Sequence, residues 1–178
     1  RPLTKEAIFH YAYAVLHDPV YRETYTQNLK REFPHIPLYG DSEATFCQWA
    51  AWGEALMALH IGYEQVAPFA LTRTDVPDAK VRAAGQSPKC ILKADKGDGQ
   101  SSGRIVIDSE TTLAGIPPEA WRYQLGNRCA LEWVLDQYKE KKPKDPTIRE
   151  KFDTYRCADH KEKVIALLLR VTTVSVET

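Results

Sequence analysis

The sequence predicts an α+β fold of about six helices packed around a small, mainly antiparallel sheet. Three observations carry that prediction. Capped runs with helical spacing occupy residues 4–62, two β-rich runs flank a Gly/Asp/Ser connection within 90–108, and helical periodicity returns near 127 and again near 159. With 178 residues, 43% of them hydrophobic, the chain is long enough to bury one sizeable core. Residues 1–178 read as a single domain, with 139–178 as a candidate helical appendage.

Thr4 is placed to cap a first helix whose Ile8, Ala12, Val15 and Leu16 follow one helical face, with His17 closing it. Asp18 then caps a second helix with Pro19 at its first position, where the missing amide costs nothing. Tyr21, Tyr25 and Leu29 share one side of it. The run 33–37, Phe-Pro-His-Ile-Pro, is extended, because each proline disfavours helical geometry in the residue before it. Asp41 or Ser42 opens a third helix in which Phe46, Trp49, Ala50, Gly53, Leu56, Met57 and His60 recur until Gly62 stops it.

From 63 to 88 the periodicity fades and Pro68, Pro77 and Pro88 punctuate the chain, which predicts short strands and loops. Residues 90–94 and 104–108 are strands joined by a flexible polar hairpin connection, 95–103. Pro117 or Pro118 starts a short helix through Trp121. A longer helix over 127–139 buries Leu131, Val134, Leu135 and Tyr138. The lysine-rich 139–144 segment reads as a solvated linker. Asp159 caps a final helix with Val164, Leu167, Leu168 and Val171 inward and a β-branched tail, 171–176, that frays.

The charges balance, 24 Lys plus Arg against 24 Asp plus Glu, so net charge gives no argument for a polyanionic partner. Contact with nucleic acid would rest on local patches. No stretch approaches the roughly 20 apolar residues that span a bilayer, and no leader pattern opens the chain, which points to a cytoplasmic protein. Arg1 comes first and Met57 is the only methionine, so the expectation is a processed product or an excised fragment of a longer chain. Cys47, Cys90, Cys129 and Cys157 are widely and irregularly spaced and read as buried free thiols.

Catalytic signatures are missing. There is no G-x-x-x-x-G-K-[ST] phosphate loop, and Gly97-Asp98-Gly99 lacks the lysine and the following helix. Ile116-Pro117-Pro118-Glu119 has the prolines of an adenine-methyltransferase turn without its polar flanks, and reads as a helix start. Asp78 ahead of the 90–93 strand faintly resembles a nuclease pattern, but the second carboxylate is absent there. Asp108 and Glu110, two apart at a strand end, have the chemistry to share a metal; ordinary carboxylates beside a turn are the simpler reading. The histidines, His10, His17, His35, His60 and His160, lack metal-ligand spacing. No Gly-x-Ser-x-Gly elbow occurs, so no catalytic residue and no metal ligand is assigned.

Recognition chemistry remains. Phosphate contacts need exposed Lys or Arg, and base discrimination favours Arg, Lys, Asn and Gln that reach a groove edge. The DNA-binding candidates are Lys30, Arg31, Arg73, Lys93, Lys96, Gln100 and Arg104, with Ser101 and Ser102 beside Gln100 at the hairpin tip. Each also has a plain structural role open to it: lysines at helix ends complement the dipole, and charged hairpins are solvated.

Several blocks, in order, carry a family resemblance. They are 8–17 (Ile-Phe-His-Tyr-Ala-Tyr-Ala-Val-Leu-His), Tyr21-Arg22 and 28–34 (Asn-Leu-Lys-Arg-Glu-Phe-Pro). Further along come 49–53 (Trp-Ala-Ala-Trp-Gly), 59–64, 71–75 (Leu-Thr-Arg-Thr-Asp), 105–108, 123–128 and 131–138. Together they resemble the C-terminal specificity region of type ISP restriction-modification enzymes, often labelled putative helicases, which serve in bacterial defence. The resemblance implies a DNA target-recognition portion with double-stranded DNA as partner, in a parent that holds a nuclease, a helicase-like ATPase and an adenine methyltransferase elsewhere. ATP, Mg and S-adenosylmethionine are implied for that parent only, and no cofactor for these residues. The methyltransferase domain of the same parent is the implied protein partner. One departure is His35, where the family pattern leads one to expect arginine. The alternative reading is a helical coupling domain of the same machine without direct base contacts.

Overall fold

A computed structural model of the chain describes residues 3–140, 144–152 and 155–178. The elements run α1 (Lys5–His17), α2 (Pro19–Thr24), α3 (Glu43–Ile61), β1 (Thr72–Asp75), α4 (Ala79–Ala83), β2 (Cys90–Asp95), β3 (Gly103–Asp108), β4 (Thr111–Ile116), α5 (Pro118–Arg122), β5 (Gln124–Leu125), β6 (Arg128–Cys129), α6 (Ala130–Tyr138), α7 (Pro146–Phe152) and α8 (Lys161–Glu177). The α+β class holds, with more helices than the sequence predicts. The chain divides into two compact units, the first ending at Tyr63 and taking in Thr178, the second Glu64–Glu177.

The first unit is a helical hairpin with an extended strap. Thr4 caps α1 by accepting from the Ala7 amide, and Asp18 both ends α1 and caps α2 through the Val20 amide. Ser42 caps α3 and Gly62 closes it. Burial on α1 falls on Tyr11, Ala14 and Val15, while Ile8 is exposed, so the predicted face is rotated. Tyr11 explains the rotation. Its ring stacks on Phe46, and its hydroxyl donates to the Pro37 carbonyl and accepts from the Tyr39 amide. Tyr21 likewise donates to the His35 carbonyl, so two phenols satisfy the extended 35–39 backbone that the prolines deny to a helix. α1 and α3 meet at Gly53, where an added Cβ would lie 1.7 Å from the His10 carbonyl oxygen.

The second unit is built on a four-stranded antiparallel sheet in the order β1-β4-β3-β2. Its inner face presents Leu92, Ile105, Ile107, Leu113 and Ile116 to the core that also holds Trp121, Leu131, Leu135, Val164, Ile165 and Leu168. The strand β4 was not predicted: Thr111, Leu113 and Ile116 are buried, but the intervening Gly115 and the two prolines mask the alternation. α4 and α7 were also not predicted as helices. α6 starts at Ala130, later than expected, because the β5–β6 turn occupies 124–129 and Cys129 with Glu132 forms the cap. α8 follows a 3-10 turn at Cys157–His160 and stays helical to Glu177. The tail does not fray, because Val171, Thr172, Val174 and Ser175 are buried. The expected linker at 139–144 falls in part outside the described residues.

The thiol expectation needs correction. Cys90 and Cys157 form a disulfide, their Cα atoms 6.2 Å apart, because the core packs the start of β2 against the turn that leads into α8. Cys47 and Cys129 are free, and burial raises the Cys129 thiol pKa. Among the described residues no helix is long and apolar enough to cross a membrane.

Two predictions follow from the first unit. Gly53→Ala forces α1 and α3 apart and is expected to destabilise that unit by on the order of 3 kcal/mol, read as a lower transition by Trp49 and Trp52 fluorescence. The second concerns a half-buried imidazole pair. His60 takes a 2.7 Å hydrogen bond with the Tyr13 hydroxyl, His17 bonds the Tyr13 carbonyl, and the two imidazoles lie 5.0 Å apart. Burial, then the neighbouring His17, lowers the His60 pKa to about 4; burial also lowers that of His17. The unfolded chain therefore binds protons first, so stability present above about pH 6.5 is lost as pH falls toward the folded values. Melting of His60→Gln should show a flatter pH dependence across that window, and a curve parallel to the unmodified chain would refute the assignment.

Candidate nucleic-acid interface

The strand registers decide which side chains share the sheet's second face. Lys93 lies opposite Val106, and Asp95 opposite Arg104; Val106 pairs with Thr112 and Arg104 with Ala114, and β1 adds Thr74 and Thr72 beside them. This face is exposed at Thr72, Thr74, Lys93, Asp95 and Arg104 and half-buried at Val106, Thr112 and Ala114. A bulge between Cys90 and Lys93 sets this register. It places Leu92 at φ 46, a conformation that costs a non-glycine residue about 1 kcal/mol, while turning the side chain fully into the core. Complete burial of a leucine contributes about 2 kcal/mol and offsets that strain.

β2 and β3 are joined beyond the last sheet pairing by a hairpin loop, 96–102. At its base Gly103 allows a close approach, since a Cβ there would sit 2.7 Å from the Trp121 indole nitrogen. At its tip the Asp98 carboxylate accepts from the Gln100 amide, the Ser101 amide and the Ser101 hydroxyl. These bonds, the Ser101 hydroxyl foremost, hold the Asp98 pKa at about 2. The connection expected to be flexible is thus knotted by its own side chain.

Of the sequence candidates, Lys93 and Arg104 share the outer sheet face, and Lys96 and Gln100 stand in the hairpin loop. Arg104 is paired with Asp95 at 3.0 Å, and Lys96 with Glu132 at 2.9 Å while it also lies 6.0 Å from the Trp121 ring centre. Lys93 and Gln100 are exposed. Arg73 stands at the opposite edge on β1 and in register with Leu113, which turns it to the helix side. There it donates to both carboxylate oxygens of Glu162, at 2.8 and 2.9 Å, and to Asp75 at 2.7 Å. These bonds, Glu162 first, raise its pKa further. Lys30 ends a 3-10 turn (Asn28–Lys30) in the first unit, with Arg31 next, and both are exposed. Tyr21, Tyr25, Leu29, Phe33 and Ile36 help to line a concavity of about 450 Å³ beside them.

Asp108 and Glu110 turn to different partners. Asp108 Oδ1 accepts the Glu110 and Thr111 amides, and its Oδ2 lies 2.7 Å from Lys161 Nζ. Glu110 accepts the Asp78 amide at 2.7 Å and the Arg82 guanidinium at 3.4 Å, which lower its pKa in that order. Among the described residues no group of three or more His, Cys, Asp or Glu is placed to hold a metal ion.

Fold and surface together define an α+β module that offers an open sheet face and a polar hairpin loop at its end. The chain belongs to the family described as the Type ISP C-terminal specificity domain, which matches residues 1–167. Among solved structures it is similar to the DrdV–DNA complex determined by electron cryomicroscopy, with 58% identity and a TM-score of 0.85 over 98% of this chain and 17% of that one. It is also similar to a nuclease-deletion mutant of the Type ISP restriction-modification enzyme LlaGI in complex with a DNA substrate mimic (28% identity, TM-score 0.68, 97% of this chain and 15% of that one). A third is the ATP-dependent Type ISP restriction-modification enzyme LlaBIII bound to DNA (25%, 0.69, 98% and 10%). The chain therefore spans less than a fifth of each of these proteins. Comparison with curated proteins gives no match.

The Asp98 knot yields a local test. In Asp98→Ala the Gln100 and Ser101 amides lose their acceptor, so their hydrogen exchange should quicken at least tenfold while the melting temperature of the chain stays unchanged. Equal protection in both proteins would show that the tip is held by something else.

Proposed function

We propose that this chain is the DNA target-recognition portion of a multidomain restriction-modification enzyme. The observation that supports it most is the match, over nearly all of this chain at 58% identity, to a part of DrdV in complex with DNA. In this reading the outer face of the β2–β3 hairpin lies along the duplex backbone and its loop, 96–102, approaches a groove edge. Lys93 and Arg104 contact phosphates or base edges, and the pinned tip presents Gln100, whose amide has the donor and acceptor to engage adenine. Lys96 is partly spent on Glu132 and contributes less. Arg73 acts indirectly by fixing β1 to α8, and Lys30 and Arg31 supply peripheral charge.

Nuclease, ATPase and adenine-methyltransferase chemistry, with ATP, Mg and S-adenosylmethionine, belongs in this reading to other parts of the parent enzyme. The methyltransferase domain is the neighbour against which this portion is held. A coupling role is favoured for the first unit, where Ile8, Phe9, Phe33, Leu38 and Trp52 are exposed, Phe33 at 91%. Such a concentration of uncovered apolar side chains is characteristic of a surface that packs on another protein.

Electrophoretic shift of a duplex by the chain at low salt tests the reading. The expected result is binding that weakens steeply as salt rises, and that Lys93→Glu with Arg104→Glu weakens on the order of tenfold. Arg73→Glu should lower the melting temperature more than it lowers affinity. Absence of any shift at low salt would remove the DNA-recognition assignment.

A further inference from the structure

Resting on the DNA-recognition reading, we infer that the segment 79–89, seated on the β3–β4 turn, is a second DNA-contact surface that grips the sugar–phosphate backbone through Lys80 and Lys89. The run 79–94 contains four cations, Lys80, Arg82, Lys89 and Lys93, and no carboxylate, although the chain as a whole is neutral. Lys80, Arg82, Lys89 and Lys93 are all exposed.

The segment is held in place by its backbone. Val76 donates to the Glu110 carbonyl at 2.8 Å, and the Asp78 amide to the Glu110 side chain. Farther on, the Ser109 amide donates to the Lys89 carbonyl at 3.0 Å and the Lys89 amide to the Ser109 hydroxyl at 3.3 Å. Both ends of the segment are therefore fixed to the adjacent residues Ser109 and Glu110. Between them, the amides of Ala84, Gly85 and Gln86 close the last turn of α4 on Lys80, Arg82 and Val81.

The carboxylates nearby are already engaged. Asp78 caps α4 through the Lys80 and Val81 amides, Glu110 holds the Asp78 amide and Arg82, and Asp108 holds Lys161 and two turn amides. Arg82 thus serves to position the segment, and among the described residues Lys80 and Lys89 have no acidic partner. Two lysines on a fixed scaffold, with the neighbouring carboxylates engaged by other groups, match the spaced negative charge of a duplex backbone. Lys93 continues the same positive run onto β2. The contact is to phosphate and carries no base preference.

The test is the salt dependence of duplex binding by the full chain, followed by fluorescence anisotropy. Lys80→Ala with Lys89→Ala is expected to reduce the slope of log affinity against log salt by about two, close to one counterion per phosphate contact. The preference between specific and random duplexes should not change. Lys151→Ala with Lys163→Ala removes the same charge from α7 and α8 and should leave the slope within error. An unchanged slope in the first pair, or an equal fall in the second, overturns the inference while leaving the DNA-recognition reading in place. If the unmodified chain shows no salt-dependent binding, that reading falls and this inference with it.

Discussion

The second unit depends on one buried carboxylate. Asp108 gathers the amides of the β3–β4 turn with one oxygen and the Lys161 ammonium with the other. The first act shapes the turn that joins the two central strands. The second ties that turn to the first residue of α8, the helix with the most buried positions in the unit. Lys161 also donates to the Thr111 hydroxyl, which in turn donates to Asp75 on β1. The chain of contacts extends through Arg73 to Glu162, so the start of α8 is fixed to β1, β3 and β4 at once. Removing one partner from a buried pair of this kind typically costs about 3–5 kcal/mol, because the remaining charge is stranded.

This arrangement also explains the division of the cations. A sheet that buries one face on helices must satisfy the charged residues on that side internally, which is the fate of Arg73 and Lys161. Residues of opposite register face outward, which is how Lys93 and Arg104 come to share a surface with threonines. Strand parity thus puts Arg73 on the helix side and Lys93 and Arg104 on the outer face, the bulge at Leu92 setting it for β2 alone.

Much of the first unit was legible, because its boundaries are written in local chemistry: Thr4, Asp18-Pro19, Ser42 and Gly62 each act within four residues. The β2–β3 hairpin was legible for the same reason. What was missed depends on contacts far apart in sequence. Glu162 is 89 residues from Arg73, so the engagement of that arginine had no local sign. Cys90 and Cys157 are 67 apart and share no spacing motif. The face of α1 was misjudged because Tyr11, a residue of mixed character, outcompetes Ile8 through its hydroxyl contacts with Pro37 and Tyr39. Lys80 and Lys89 were passed over because α4 is too short for a periodic signal, although the acid-free run around them could have been counted.

The Cys90–Cys157 bond has a topological result. It turns the stretch from β2 through the turn before α8 into a covalent ring that includes β3, β4, α5, α6 and α7. A protease that cuts once inside this ring adds a water but leaves the two halves attached, so the pieces separate only when a reductant opens the loop. The carboxy-terminal helix is consequently retained on its sheet by a strap that does not depend on the integrity of the chain between them.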